Sequence, residues 1–437
     1  MDWWFVLLLG IGLLLLLMIL GMPIFVAFLI LNVAGVYWLL GPAGFGMFAN
    51  SMYATATLTE LAAVPLFILM GELLFRSGAM ERLLTSLDRL VGQIRGRQYI
   101  LCILLSAICG ALAGAAMAVA GLLGRSLYPT MAKRGYDRKL SAGTILGGAT
   151  VDAIIPPSVL AIIVASLAKV STGSLLVAGI IPGLFLLGMS TIYVLVRVRY
   201  NPSLAPDLSE DLRDPNTRGS AFIAFLRLLP VMSIFLVVMG FIMLGIATPT
   251  EAAACGVLCA LVLSGFYGGL NWQMLHQSLT SGVRVAGIML AIMACAAMFN
   301  QLLIFSGALS QLTTFVLELN PAYYVMLALM LALPFFLFMF LDQVSVLMVL
   351  VPLYLPIIDL YEFDPIWFWA LILVIATAGG ITPPLGYTLY AFKSAVPHFD
   401  TRELFQAALP FVGLIVMGIV IMIIFPGIIT YLPNLMR

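Results

Sequence analysis

The sequence predicts an all-α polytopic membrane protein built as two inverted repeats, each holding a re-entrant helical hairpin and a transmembrane helix broken by a proline pair. Three observations lead there. First, the chain of 437 residues is 63% hydrophobic and only 9% charged, whereas a soluble domain carries about 25% charged residues. So few charges cannot cover a surface in water, which makes lipid the outer solvent. Second, two apolar stretches have the wrong length for spans, and their flanks differ in charge. Third, short motifs of the first half recur in the second at a nearly constant offset.

Apolar segments fall near 3–21, 22–40, 58–75, 98–132, 140–168, 174–196, 228–246, 249–268, 285–305, 321–358, 366–396 and 404–430. Most hold about 20 residues, enough to cross about 30 Å of hydrocarbon. The run from Trp3 to Leu20 has no basic region before it and no small-residue cleavage site after it, so it reads as the first span rather than a removed leader.

Segment 98–132 holds a single charge, Arg125, and segment 321–358 a single one, Asp342. Each is too long for one span and short for two with a turn, which suits a hairpin that dips into the membrane and returns. The first is flanked by Arg76, Arg82, Arg89, Arg95 and Arg97 before it and by Lys133, Arg134, Arg138 and Lys139 after it. The second is flanked by Glu318, Asp359, Glu362 and Asp364, with no Lys or Arg. Basic flanks are cytoplasmic, so the first hairpin enters from the cytoplasm and the second from the opposite face. Residues 197–227, with five Arg and Pro202, Pro206 and Pro215, form a cytoplasmic connection. The chain thus divides into a first repeat 1–200, a linker 201–227 and a second repeat 228–437. Between the spans, Thr248-Pro249-Thr250-Glu251 predicts a helix start with a threonine cap. Trp272, Leu275, Leu279 and Val283 stand at helical spacing and predict an amphipathic helix along the cytoplasmic interface over 271–285.

The halves align. Leu73 to Ala79 resembles Leu302 to Ala308 at an offset of 229, Pro129 to Asp137 matches Pro356 to Asp364 at 227, Ile154 to Ser158 matches Ile381 to Leu385 at 227, and Pro182 matches Pro410 at 228. Hairpins of opposite entry make the repeat inverted, a plan that recurs among secondary transporters.

Pro156-Pro157 and Pro383-Pro384 lie mid-span, each after a glycine pair, Gly147-Gly148 and Gly379-Gly380. Proline has no N–H and clashes with the preceding turn, so each pair breaks its helix. The freed carbonyls are costly in hydrocarbon unless they line a cavity or bind something. Carbonyls at the end of each first half-helix suit a hard cation such as Na⁺. The N-terminal ends of the second half-helices, at Pro157-Ser158 and Pro384 to Gly386, can face an anionic substrate. At the second hairpin tip Asp342 is a carboxylate within the membrane, with Gln343 and Ser345 adding oxygen ligands. At the first tip Gly114 and Ala115 carry neither hydroxyl nor carboxylate, and the nearest acid is Asp152. Asp152 reads equally as a cation ligand, a proton acceptor or a cap for the broken helix. Glu60, Glu72 and Glu251 lie near span ends, where local pairing is the usual role.

The five cysteines sit in apolar runs and read as packing residues, and His276 and His398 lie away from the hydrophobic centres, so no transition-metal site is expected. No phosphate-binding loop, nucleophile elbow or catalytic triad is present, which argues against an enzyme. The net charge of +1 gives no footprint for nucleic acid. A membrane scaffold is the remaining alternative, but it would not need Asp342 facing a paired helix break.

Gly245 to Ala254 with its Thr248-Pro249-Thr250-Glu251 core, Ile155-Pro156-Pro157-Ser158, Leu341-Asp342 followed by Pro352 and Pro356, and Gly379-Gly380-Ile381-Thr382-Pro383-Pro384-Leu385-Gly386 together resemble the large membrane subunit of tripartite ATP-independent periplasmic (TRAP) transporters. The likeness covers essentially the whole chain. It implies a bacterial inner-membrane, Na⁺-driven importer of organic acids working by an elevator movement, without a cofactor beyond the coupling ion. It also implies two partners, a four-helix small membrane subunit and a soluble periplasmic binding protein. By the same resemblance one Na⁺ sits between the tip near Asp342 and the break at Gly379, Thr382 and Leu385, and the symmetric site uses the first tip with Asp152, Pro156 and Ser158. Two departures fall on that first site. The family tip is serine-rich where this chain reads Ala113-Gly114-Ala115-Ala116, and the family has glycine at the place of Asp152. A stand-alone divalent-anion/Na⁺ symporter with similar hairpins is the alternative within transport.

Overall fold

The computed structural model describes residues 3–42, 44–79, 86, 94–113, 116–206, 221–267 and 269–436. Every regular element among them is helical. The chain opens with α1 (Trp3–Ile19), α2 (Ile24–Leu39), α3 (Gly44–Ala56) and α4 (Ala63–Arg76). The first hairpin is α5 (Arg97–Ala113) and α6 (Ala116–Ser126), extended by α7 (Tyr128–Lys133). The first broken helix is α8 (Arg138–Ala149) and α9 (Val159–Ala168), followed by α10 (Thr172–Ala178) and α11 (Ile180–Tyr200). Then come α12 (Ala221–Met243), α13 (Pro249–Phe266), α14 (Trp272–Phe305) and α15 (Ala308–Leu319). The second hairpin is α16 (Tyr323–Phe338) and α17 (Gln343–Leu360), the second broken helix α18 (Pro365–Gly379) and α19 (Tyr387–Ala395), and the chain closes with α20 (Thr401–Ile424) and α21 (Gly427–Leu435). By length and composition five helical stretches can cross a membrane, or six if α3 and the stretch Thr59–Arg76, bent by 54°, form one span.

Four elements differ from the sequence expectation. The amphipathic stretch 271–285 is not a separate interfacial helix but the first part of α14, which runs unbroken for 34 residues, about 51 Å. No proline interrupts it, and its polar face is held by α4: Arg76 donates to Gln277 Oε1 at 2.9 Å and to Ser281 Oγ at 3.2 Å, while pairing with Glu72 at 2.8 Å. Helices α3 and α15 were hidden by their polar residues, of which Ser51 and Thr55 are buried. Helix α12 begins at Ala221, inside the expected linker, of which 207–220 lie outside the described residues. The cap at Thr248 forms as expected, a capping box with Glu251.

Both hairpins return to their starting point. In the second, the Tyr361 hydroxyl donates to the Pro321 carbonyl at 2.9 Å, and the rings of Tyr323 and Phe363 lie 4.7 Å apart. In the first, the Tyr99 and Tyr136 rings lie 5.0 Å apart, and the Asp137 N–H donates to the Tyr99 hydroxyl at 3.0 Å. An aromatic pair thus closes the base of each hairpin.

Local geometry recurs along the chain. Asp137 and Asp364 cap α8 and α18 through the N–H groups of Leu140 and Trp367. Ser77 and Ser306 donate to the carbonyls of Leu74 and Leu303, and each precedes a left-handed glycine, Gly78 at φ +75° and Gly307 at φ +72°. Gly135 and Glu362, both at positive φ, end the second arms of the two hairpins. The Pro156-Pro157 and Pro383-Pro384 peptide bonds are both cis.

The helices pack in two groups. One is built on α14, against which α2, α3 and α4 lie, with α13 between α4 and α12. The other holds the hairpins, the broken helices and α20. Within it, the first half of each broken helix packs on the first arm of its own hairpin, α8 on α5 and α18 on α16. The second half packs on the second arm of the other hairpin, α9 on α17 and α19 on α6. This exchange interlocks the two breaks with the two tips.

Candidate functional site

At the second break α18 ends at Gly379, and the chain turns through 380–386 before α19. The tip of the second hairpin lies against this turn. A Cβ added to Gly379 would fall 2.1 Å from Phe338 Cβ, so only glycine admits the arm this closely. Gln343 Nε2 donates to the Ala376 carbonyl at 2.6 Å, tying the tip to the last turn of α18. The structure therefore brings Asp342, Gln343 and Ser345 to the same region as Gly379 and Thr382. Asp342 is the N-cap of α17, taking the Ser345 N–H at 3.1 Å and its hydroxyl at 2.5 Å on one carboxylate oxygen, and its side chain is exposed rather than enclosed. Thr382 Oγ1 donates to the Ala378 carbonyl at 2.6 Å. Leu385 is 51% exposed, Pro384 is exposed too, and Gly386 starts α19 with no side-chain cap.

At the first break α8 tightens into a 3₁₀ turn, Thr150–Ala153, that carries Asp152. Gly114 and Ala115 of the first tip lie outside the described residues. Pro156, Pro157 and Ser158 are buried. The Ser158 hydroxyl donates to the Ala153 carbonyl at 2.7 Å and accepts the Ala161 N–H at 3.2 Å, so Ser158 caps α9 and Asp152 does not. The two breaks differ in openness: the first is sealed and capped, the second opens at Pro384 and Leu385 above an uncapped helix N-terminus.

The tip-to-break contact is solved in opposite ways in the two halves. In the second, glycine is on the break (Gly379) and the side chain on the arm (Phe338). In the first, glycine is on the arm, where a Cβ on Gly110 would fall 3.1 Å from Asp152 Cβ, and the side chain is on the break. The glycine on α5 is what makes room for an acid at 152.

Sequence reasoning missed Tyr387. It is the first residue of α19, its hydroxyl stands where a Cβ on Gly380 would meet it at 2.7 Å, and it lies within electrostatic range of both Asp152 and Asp342. Nothing in the local sequence marks it, because only the exchange of half-helices brings both acids near it. The side chains that meet at the breaks present oxygen atoms, the donor type that suits a hard cation. Among the described residues no group of three His, Cys, Asp or Glu could hold a metal ion.

The family model for the tripartite ATP-independent periplasmic transporter, DctM component, matches residues 11–428. The chain belongs to this family. It is 29% identical over 399 residues to the C4-dicarboxylate TRAP transporter large permease protein DctM of Pseudomonas aeruginosa, covering 91% of each chain. It is 27% identical over 432 residues to the ectoine TRAP transporter large permease protein TeaC of Halomonas elongata, covering 96% of this chain and 97% of that one. The sialic acid TRAP transporter permease protein SiaT of Haemophilus influenzae is 26% identical over 377 residues, 86% of this chain and 60% of that one. The fold is similar to that of the Alcanivorax borkumensis YdaH transporter, with a TM-score of 0.67 at 15% identity over 89% of this chain and 90% of that one. As a TRAP large permease the chain is a multi-pass membrane transport subunit and not an enzyme.

Proposed function

We propose that this TRAP permease imports an organic acid across the bacterial inner membrane, driven by Na⁺ bound where the hairpin tips meet the helix breaks. The observation that carries this reading is the interlock of two tips and two breaks, with oxygen ligands at the junction and the N-terminus of α19 uncapped beside an opening. A helix N-terminus favours an anion and the preceding carbonyls favour a cation. The ion sites comprise Asp342, Gln343, Ser345, Gly379, Thr382 and Leu385 in one half, and Gly114, Ala115, Asp152, Pro156 and Ser158 in the other. The substrate faces Pro384 and Gly386 at the open second break, while Pro157 and Ser158, the matching pair, lie buried at the first. Caps and turns that recur at offsets of 227 and 229 support two inverted repeats divided at 201–227. The grouping of hairpins and breaks apart from α14 and its neighbours supports an elevator movement of one group against the other. Relatives named for C4-dicarboxylates and sialic acid favour a carboxylate substrate. A small four-helix subunit and a periplasmic binding protein complete the assembly.

The test is reconstitution in proteoliposomes with a cognate small subunit and periplasmic binding protein, using radiolabelled succinate and sialic acid as probes. Uptake that requires both an inward Na⁺ gradient and the binding protein is the expected result. Equal uptake without the binding protein makes the chain a stand-alone divalent-anion/Na⁺ symporter, and uptake indifferent to Na⁺ overturns the coupling.

A further inference from the structure

Asp152 is only 7% exposed, and its Oδ1 has no hydrogen-bond partner among the described residues. The backbone N–H groups of Ala116 and Ala153 serve the carboxyl, which leaves one oxygen unanswered. Isolating a carboxylate from water costs several kcal/mol unless a counter-charge or full hydrogen bonding is supplied. Along the same seam, one helical turn before Gly110, Ser106 is fully buried against Gly148, and its Oγ also lacks a partner among the described residues. Two orphaned oxygens therefore lie on the contact between α5 and the end of α8, with the α6 N-terminus close by. The Ser158 hydroxyl, by contrast, is spent on its own cap.

We propose that Asp152 makes the first break a charged site for a single monovalent cation, its Oδ1 taking the place of hydroxyl ligands that the Ala113-Gly114-Ala115-Ala116 tip does not carry. The inference rests on the ion-coupled reading above and deepens it. One carboxylate balances one unit charge, and among the described residues no group of three His, Cys, Asp or Glu is assembled for a divalent ion. An ionised oxygen is a stronger field than a hydroxyl or carbonyl, and a strong field favours the smaller, more tightly held ion. The site accordingly accepts Li⁺ as well as Na⁺ and discriminates against K⁺. In the second half the position matching 152 is Gly379, packed against Phe338, and the carboxylate stands instead on the hairpin tip at Asp342.

The test is the thermal stability of the purified full chain in detergent, titrated with NaCl, LiCl or KCl against choline chloride at constant ionic strength. Na⁺ and Li⁺ are expected to raise the unfolding midpoint while K⁺ does not. Asp152→Asn keeps the shape and removes the charge, and it should weaken the half-stabilising Na⁺ and Li⁺ concentrations by at least about tenfold, equivalent to about 1.4 kcal/mol. Asp152→Glu should retain stabilisation by both ions, which guards against a merely misfolded Asn variant. Unchanged Na⁺ and Li⁺ titrations in Asp152→Asn, with Na⁺-driven uptake intact, overturn this site while leaving the coupled reading standing. A wild-type chain that responds to no monovalent cation overturns both.

Discussion

Replacing Gly379 by alanine tests the contact that joins the second hairpin to the second break. The new Cβ would stand 2.1 Å from Phe338 Cβ and 3.2 Å from the Phe338 Cα and carbonyl carbon. Carbon atoms in contact prefer about 3.5–4.0 Å, so tip and break must separate by about 1.5 Å. The obstacle is backbone and Cβ, which no rotamer change relieves. Overpacking of this kind costs about 1–3 kcal/mol, and the upper end applies because both sides are fixed in helices. The assay is the unfolding midpoint of the purified chain beside its uptake rate, and both should fall. The geometry further predicts the pattern of rescue. Phe338→Ala in the Gly379→Ala background keeps the offending Cβ and should restore nothing, whereas Phe338→Gly removes it and should recover part of the stability. A Gly379→Ala protein as stable and active as wild type, or a rescue by Phe338→Ala, would refute the reasoning.

Ser158→Ala removes the cap of α9 and the bond to the Ala153 carbonyl, and should lower stability by about 1 kcal/mol in a denaturation midpoint. Gly179→Ala should be far more damaging than Gly110→Ala, because its Cβ would meet the Ile154 carbonyl oxygen at 1.9 Å against 3.1 Å to Asp152 Cβ for Gly110; expression and melting of the two variants rank them. Arg76→Ala loses a half-exposed pair with Glu72 and two bonds to α14, and should cost no more than about 1 kcal/mol, with the loss shrinking at high salt in a thermal scan.

Much of this architecture is written in residues whose chemistry acts locally. Pro156-Pro157 and Pro383-Pro384 break helices wherever they fall, and the aspartates at 137 and 364 cap whatever follows them, so breaks and helix starts were legible. The hairpins were legible because a stretch such as 321–358 has a length that neither one span nor two can use. What was not legible depends on neighbours distant in sequence. The polar face of 272–285 looked interfacial but is answered by Arg76. Asp342 reads from sequence as a carboxylate at the second tip, but its cap on α17 through Ser345 and its exposed side chain come from the fold of the tip. The positions of Tyr387 and of the Gly110–Asp152 contact follow from the exchange of half-helices between hairpins, which no local pattern announces.

The central claim is that two hairpins enter from opposite faces and meet at the two breaks. Single cysteines at the hairpin bases test it most directly, with the native cysteines replaced and a membrane-impermeant thiol reagent applied to right-side-out and inverted vesicles. Lys133→Cys should react only from the cytoplasmic side and Asp359→Cys only from the opposite side. Labelling of both from the same side would contradict the account.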